Sequence, residues 1–214
     1  MNIAAFVASS SHTGNTATAV AKLLEGAVAQ GAQTRAYYLN DHHIKPCTGC
    51  RVCEKTHVCT QKGDGVATLH EGIRWADAYV LGTPTYYGDI TGQFKQFVDR
   101  CYPFIDIYKN PETREMRFGS IIPVRKPGVL VAVSGGHGGS GVFDSHTKVA
   151  FHCLNDINGY LWRELLIPHT TWTPVRDMPE QLETLYATGE ALVHHLRTEE
   201  GEDVERSRAF RAKF

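Results

Sequence analysis

The chain has 214 residues and a formal net charge of -1 at pH 7. This balance creates no global field that would favour nucleic acid or an anionic membrane, so neither is predicted as a partner. The length predicts one domain with a core large enough to fold without disulfides. The short apolar start, residues 2–8, has no basic segment before it and is not predicted to be a signal peptide. We expect a soluble protein of the cytoplasm with reduced thiols.

Apolar patterning predicts five strands that alternate with five helices. The strands are predicted at residues 2–8, 33–39, 77–83, 128–134 and 161–168. The helices are predicted at residues 17–29, 66–76, 91–102, 142–158 and 178–196. Residues 103–126 show no periodic pattern, and no regular structure is assigned there. The alternation predicts an α/β fold whose parallel sheet is covered by helices on both faces.

Three polar loops follow predicted strands, at residues 9–15, 84–90 and 134–141. Because a parallel sheet gathers the carboxyl ends of its strands at one edge, we expect a ligand there. The first loop, SSSHTGNT, offers hydroxyls and amides to a dianion but lacks a Walker lysine and the glycines of a dinucleotide-binding turn. It therefore fits a monophosphate. The alternative is a loop that only ends a strand and caps a helix.

The other two loops suit a planar ligand. TPTYYGDITGQ places two tyrosines in a turn, where aromatic rings can contact a flat group. SGGHGGSG is rich in glycine, so its backbone can approach a flat edge closely. A surface turn with packed tyrosines and a flexible glycine linker are the alternatives.

In this order and spacing, the motifs SSSHTGNT, PTYYGDITGQFKQFVDR and SGGHGG resemble the flavodoxin-like NAD(P)H-dependent FMN reductase superfamily. The resemblance covers residues 1–197 and implies a doubly wound, five-stranded parallel sheet in the order 2-1-3-4-5, with FMN as cofactor. It leaves residues 198–214 as a charged C-terminal tail.

The resemblance also implies which residues bind the cofactor. The phosphate is expected on Ser9, Ser11, Gly14, Asn15 and Thr16. The isoalloxazine is expected against Pro84, Thr85, Tyr86, Tyr87, Gly88, Ser134, Gly135, Gly136, His137, Gly138 and Gly139. Many members have SPR where this chain has three serines, so hydroxyls and amides must replace the arginine that would neutralise the phosphate. His137 could contact the pyrimidine edge, or it is a plain loop histidine.

Four cysteines lie within thirteen residues, CTGCRVCEKTHVC, at the spacing C-x2-C-x2-C-x5-C. Zinc sites usually pair two C-x2-C knuckles a dozen or more residues apart, whereas here the pairs overlap. The first three cysteines have the bacterial ferredoxin spacing, which wraps one loop around an iron–sulfur cubane. Zinc, with or without His57, and a redox-thiol loop without a cluster are the alternatives.

This cysteine-rich loop, at about residues 45–65, resembles the iron–sulfur flavoprotein branch of the same superfamily. The resemblance implies a 4Fe-4S cluster on Cys47, Cys50, Cys53 and Cys59. The remaining thiols, Cys101 and Cys153, lie among apolar residues and are expected to be buried and inert.

A flavin and a cluster in one assembly convert between two-electron and one-electron transfer. The resemblance implies an FMN-dependent oxidoreductase that relays electrons from a ferredoxin-like donor to a small oxidant, as a homodimer or homotetramer. One alternative is an NAD(P)H-dependent FMN or quinone reductase whose cysteines hold no cluster, and another is a redox or metal sensor. No catalytic side chain is predicted.

Overall fold

The computed structural model describes residues 1–139 and 141–198. The predicted tail, residues 198–214, lies outside the described residues except for Thr198, which ends the last helix. None of the described helices has the length and apolarity that a bilayer-crossing segment needs.

Seven strands and six α-helices follow one another along the described chain. The strands are β1 (Asn2–Val7), β2 (Gln33–Tyr38), β3 (Ala78–Pro84), β4 (Ile105–Lys109), β5 (Met116–Ser120), β6 (Lys126–Val133) and β7 (Gly159–Ile167). The helices are α1 (Asn15–Ala29), α2 (Cys53–Thr56), α3 (Val66–Trp75), α4 (Gly92–Asp99), α5 (Asp144–Asp156) and α6 (Pro179–Thr198).

Five parallel strands form the central sheet, in the order β2-β1-β3-β6-β7. The other two, β4 and β5, pair as a separate antiparallel hairpin. The expectation that residues 103–126 have no regular structure is therefore wrong. The hairpin is mostly exposed and so has no apolar alternation to reveal it. The observed order differs from the predicted 2-1-3-4-5 because the hairpin adds two strands between β3 and β6.

Helices cover both faces of the sheet, as predicted. On one face, α3, α4 and α5 pack side chains such as Leu69, Phe97 and Leu154 against the strands. On the other face, α1 and α6 contribute side chains such as Leu23 and Leu192. The strands β3 and β6 are buried almost throughout, which explains their nearly continuous apolar sequences.

Cys101 and Cys153 are both buried in the first of these cores, as expected. Burial raises the pKa of the Cys101 thiol well above its usual value, with the neighbouring Cys153 adding to the effect.

Candidate functional site

The three predicted binding loops leave neighbouring strands of the sheet. They follow β1, β3 and β6, which lie side by side, so all three reach the same edge. A hydrogen bond of 2.9 Å joins the Ser10 hydroxyl to the Tyr86 hydroxyl and so connects the first loop to the second. The Thr85 amide donates to the Val133 carbonyl at 2.8 Å and so connects the second loop to the end of β6.

An open groove of about 600 Å³ lies between the second and third loops. Six of the residues predicted to contact a flat ring line it: Thr85, Gly88, Ser134, Gly135, Gly136 and His137. The neighbouring Tyr87 is fully exposed and has a positive φ of 53°, so the turn projects its ring into solvent. Pro84 ends β3, and Gly138 and Gly139 continue the glycine loop beyond the groove.

The first loop forms a compact turn before α1. The buried Ser9 hydroxyl donates to the Ser11 carbonyl at 2.6 Å and accepts from the Ser11 amide at 3.2 Å. Gly14 precedes the helix without a side-chain cap, and the first turn of α1 has no acidic residue. The amides at this end of α1 are therefore free of internal carboxylates and can bind an anion.

Two predicted phosphate-binding side chains are already engaged or buried. The Asn15 amide nitrogen donates to the Thr170 carbonyl at 3.3 Å, and its oxygen accepts from the Val175 amide at 2.9 Å. This side chain ties the first loop to the segment after β7. Thr16 is 2% exposed. Neither side chain is therefore free to bind a phosphate.

The loop after β7 forms a further wall of the groove. Thr170 donates through its amide and hydroxyl to the Ser134 carbonyl at 3.0 and 3.1 Å, so this loop runs beside the glycine loop. Thr171 and the 80% exposed Trp172 line the groove. The sequence pattern did not single them out. Their position in the sequence could have identified them, because TTW follows the predicted fifth strand and therefore lies at the carboxyl edge of the sheet.

A buried histidine contacts the second loop. His146, in the first turn of α5, is fully buried, and its Nε2 lies 3.1 Å from the Thr85 hydroxyl. Burial lowers the pKa of His146 and so favours the neutral ring, which can fix the orientation of Thr85. No sequence motif marks this contact, because the two residues are 61 positions apart.

The four clustered cysteines line a second cavity, of about 520 Å³. Cys47 and Cys50 are exposed, whereas Cys53 and Cys59 are half-buried. The end of α4, the residues that follow it and Asp156 of α5 complete the wall.

The backbone between the cysteines turns sharply. Each interval between successive cysteines contains one residue in the left-handed region: Gly49 with φ 65°, Arg51 with φ 60° and His57 with φ 53°. Such conformations are strained for residues other than glycine and fold the chain back on itself. The loop thereby directs its thiols to one side instead of extending along the surface.

The four thiols lie around one cavity. Among the described residues, no three His, Cys, Asp or Glu side chains are close enough to hold a single ion. Burial raises the pKa of the Cys53 thiol, and the charges of Cys59, Cys50 and Cys47 raise it further, so the four sulfurs are near enough to interact.

His57 is not part of this cavity wall in the described structure. Its Nδ1 lies 3.3 Å from the Pro103 carbonyl, which orients the ring toward the segment after α4.

A buried ion pair anchors the cysteine loop to α4. Arg100 is 1% exposed, and its Nη1 donates to Asp64 Oδ2 and to the Lys45 carbonyl, both at 2.7 Å. Asp64 also accepts from the Lys45 and Val66 amides at 3.1 and 3.3 Å. Burial alone would raise the pKa of Asp64, but these hydrogen bonds outweigh it and lower the pKa. Both ends of the loop are thus held by one carboxylate and one guanidinium.

Arg100 also contacts His70 and one of the predicted cluster ligands, Cys59. Burial lowers the pKa of His70 to about 4, so its ring is neutral and its Nε2 donates to the Arg100 carbonyl at 2.8 Å. On the other side, Arg100 Nη2 donates to the sulfur of Cys59 at 3.4 Å.

The sequence of this chain is similar to a known protein family and to several curated proteins. The family model described as NADPH-dependent FMN reductase matches residues 1–158. A curated iron-sulfur flavoprotein of Methanocaldococcus jannaschii is 35% identical over 96 residues, which cover 44% of this chain and 47% of the relative. One from Archaeoglobus fulgidus is 44% identical over 70 residues, covering 33% of this chain and 34% of the relative. The chain thus matches less than half the length of these curated relatives.

Solved structures share the fold at low sequence identity. An NAD(P)H:quinone oxidoreductase from Methanothermobacter marburgensis has a TM-score of 0.69 and 17% identity, covering 90% of this chain and 98% of the other. An FMN-dependent NADH-azoreductase from Bacillus anthracis, in complex with FMN, has a TM-score of 0.64 and 12% identity, covering 90% and 100%. These likenesses confirm the flavodoxin-like α/β fold. The curated relatives confirm the predicted resemblance to iron–sulfur flavoproteins.

Proposed function

Because the chain belongs to the NADPH-dependent FMN reductase family, we propose that it is an FMN-dependent oxidoreductase of the iron–sulfur flavoprotein type. It relays electrons between a ferredoxin-like one-electron donor and a small oxidant. The observation that carries this proposal is one cavity lined by four cysteines at a ferredoxin-like spacing, in a chain that also has the strand-edge groove. The similarity to iron–sulfur flavoproteins supports it.

The residues of the strand edge fit FMN. In this proposal the amides and hydroxyls of the first loop hold the phosphate, with Gly14 directly before the start of α1. The groove between Thr85 and the glycine loop receives the ring, and Trp172 limits its open side. When bound, FMN supplies the ability to take up two electrons and release them singly.

The cysteine cavity fits a 4Fe-4S cluster, which supplies one-electron transfer when bound. Cys47, Cys50, Cys53 and Cys59 provide its thiolate ligands in this proposal. Arg100, Asp64 and Lys45 hold the loop so that its sulfurs stay directed to one side.

The proposed assembly is a homodimer or homotetramer of the cytoplasm. Its support is the β4–β5 hairpin, where Met116 and Phe118 are exposed on the same face. Neighbouring exposed apolar side chains of this size are typical of protein contacts. Ferredoxin-like donors and small oxidants complete the proposed set of partners.

Replacing Ser11 with aspartate is expected to raise the Kd for FMN by at least about tenfold, which corresponds to roughly 1.4 kcal/mol. The reason is that a carboxylate in the first loop repels the phosphate dianion at short range. Titration of the FMN-free protein with FMN measures the effect. Riboflavin, which has no phosphate, is the matched control ligand, and its affinity is expected to change much less. An equal loss for both ligands would place the phosphate elsewhere.

The choice of electron donor tests the proposed relay. Under anaerobic conditions a reduced ferredoxin is expected to bleach the flavin absorbance of the native protein rapidly, and that of Cys50→Ala slowly, because electrons enter through the cluster. Rapid bleaching by NADPH that Cys50→Ala leaves unchanged would favour the FMN or quinone reductase without a cluster. Negligible turnover with both donors would favour the sensor.

A further inference from the structure

The side chain of Arg100 has one hydrogen-bond donor, Nε, for which no acceptor is found among the described residues. This side chain is 1% exposed. Buried donors without partners are rare in folded proteins, because each loses its hydration without compensation. Arg100 lines the cysteine cavity, and its Nη2 donates to the sulfur of Cys59 there.

The guanidinium cannot turn to satisfy this donor elsewhere. Nη1 is committed to Asp64 and to the Lys45 carbonyl, and Nη2 donates to Cys59 Sγ. In the planar guanidinium fork, the Nε and Nη2 hydrogens lie parallel on one edge. The unused Nε donor therefore shares an edge with one hydrogen of Nη2, the nitrogen that contacts the sulfur of Cys59.

We propose that Arg100 is a positioning residue that donates hydrogen bonds to Cys59 and to an inorganic sulfide of the cluster. It thereby stabilises the reduced cluster and raises its midpoint potential. This inference rests on the proposed function, because it requires the cluster.

The electron balance is simple. The cluster gains one electron from the one-electron donor, no bond breaks and no proton moves, since the guanidinium keeps its charge at any working pH. The added electron increases the negative charge on the sulfurs, so the N–H···S hydrogen bonds strengthen on reduction. The effect is largest when the donor is buried, as Arg100 is.

Variants of the ion pair between Arg100 and Asp64 distinguish an effect on the potential of the cluster from a purely structural effect. Loss of either side chain breaks the anchor between the loop and α4. Loss of Arg100 alone removes the donors that face the sulfurs. Loss of the Asp64 charge leaves those donors in place and their positive charge uncompensated. The two losses should therefore have different effects on the potential and similar effects on the anchor.

The test compares Arg100→Gln, Arg100→Lys and Asp64→Asn in protein purified anaerobically with cluster and FMN. The midpoint potential of the cluster is measured by redox titration followed by electron paramagnetic resonance, with iron and sulfide contents determined in parallel. Arg100→Gln is expected to lower the potential by the equivalent of about tenfold in the reduction equilibrium, or roughly 59 mV for one electron. Arg100→Lys is expected to lower it less, and Asp64→Asn not to lower it. The FMN potential serves as an internal control.

An unchanged potential in Arg100→Gln, or an equal lowering in Asp64→Asn, would overturn the inference and leave Arg100 as an anchor only. If Arg100→Gln loses iron and sulfide, Arg100→Lys decides by the same criterion, and loss of the cluster from both would also reduce the residue to an anchor. These outcomes concern Arg100 alone. Native protein without iron and sulfide would instead overturn the proposed function together with this inference.

Discussion

Replacing Asp64 with alanine is expected to lower the free energy of unfolding by about 3–5 kcal/mol, the usual cost of removing one partner from a buried ion pair. The side chains of Arg100 and Asp64 are 1% and 2% exposed, so the variant leaves a guanidinium uncompensated in the interior. It also removes the acceptor of the Lys45 and Val66 amides. Urea unfolding at neutral pH, followed by circular dichroism, measures the change.

Glu25→Ala is the matched control for this experiment. Glu25 pairs with Lys22 on the surface of α1 at 2.7 Å, where both side chains are partly solvated. Such pairs contribute up to about 1 kcal/mol. A loss in Asp64→Ala no larger than in Glu25→Ala would show that the buried pair does not anchor the cysteine loop.

Replacing Cys53 with serine is expected to reduce the iron and sulfide content of anaerobically purified protein to less than about a tenth of the native content, because serine oxygen is a poor substitute for the soft thiolate that iron–sulfur clusters require. Cys53 is half-buried at the start of α2, and the charges of the other three cysteines act on it. FMN content is expected to change little, since the groove is built from other loops. Colorimetric iron and sulfide assays, with flavin absorbance, give all three contents.

Cys153→Ala provides the matched control, because Cys153 is a thiol of the same chain that is buried in the core. It is expected to keep the native iron and sulfide content. Equal loss of iron and sulfide from both variants would contradict the assignment of the cluster to the loop of residues 47–59.

The sheet, and the edge at which its polar loops meet, could be predicted because long apolar strands alternate with amphipathic helices. In β3 and β6 the buried residues are consecutive in sequence, and the polar loops begin where these runs end. The β4–β5 hairpin could not be predicted in the same way. Its strands are held by backbone pairing and expose most of their side chains, so its sequence has no buried face to detect.

The candidate site, too, could be predicted only in part. The cysteine cavity follows from local spacing, since all four thiols lie in one short loop. The contacts that hold the candidate loops join residues far apart in sequence. Arg100 and Asp64, which hold the cysteine loop, are separated by 36 positions, and Asn15 and Val175, which hold the first loop, by 160. No periodic pattern reports such pairs, because tertiary packing alone brings them together.

We expect one chain to hold both a cluster and a flavin. Quantitation of iron, acid-labile sulfide and FMN in the native protein, purified without air, tests it most directly. About four irons, about four sulfides and about one FMN per chain are predicted. FMN with no iron or sulfide, or zinc in place of iron at the four cysteines, would contradict the claim.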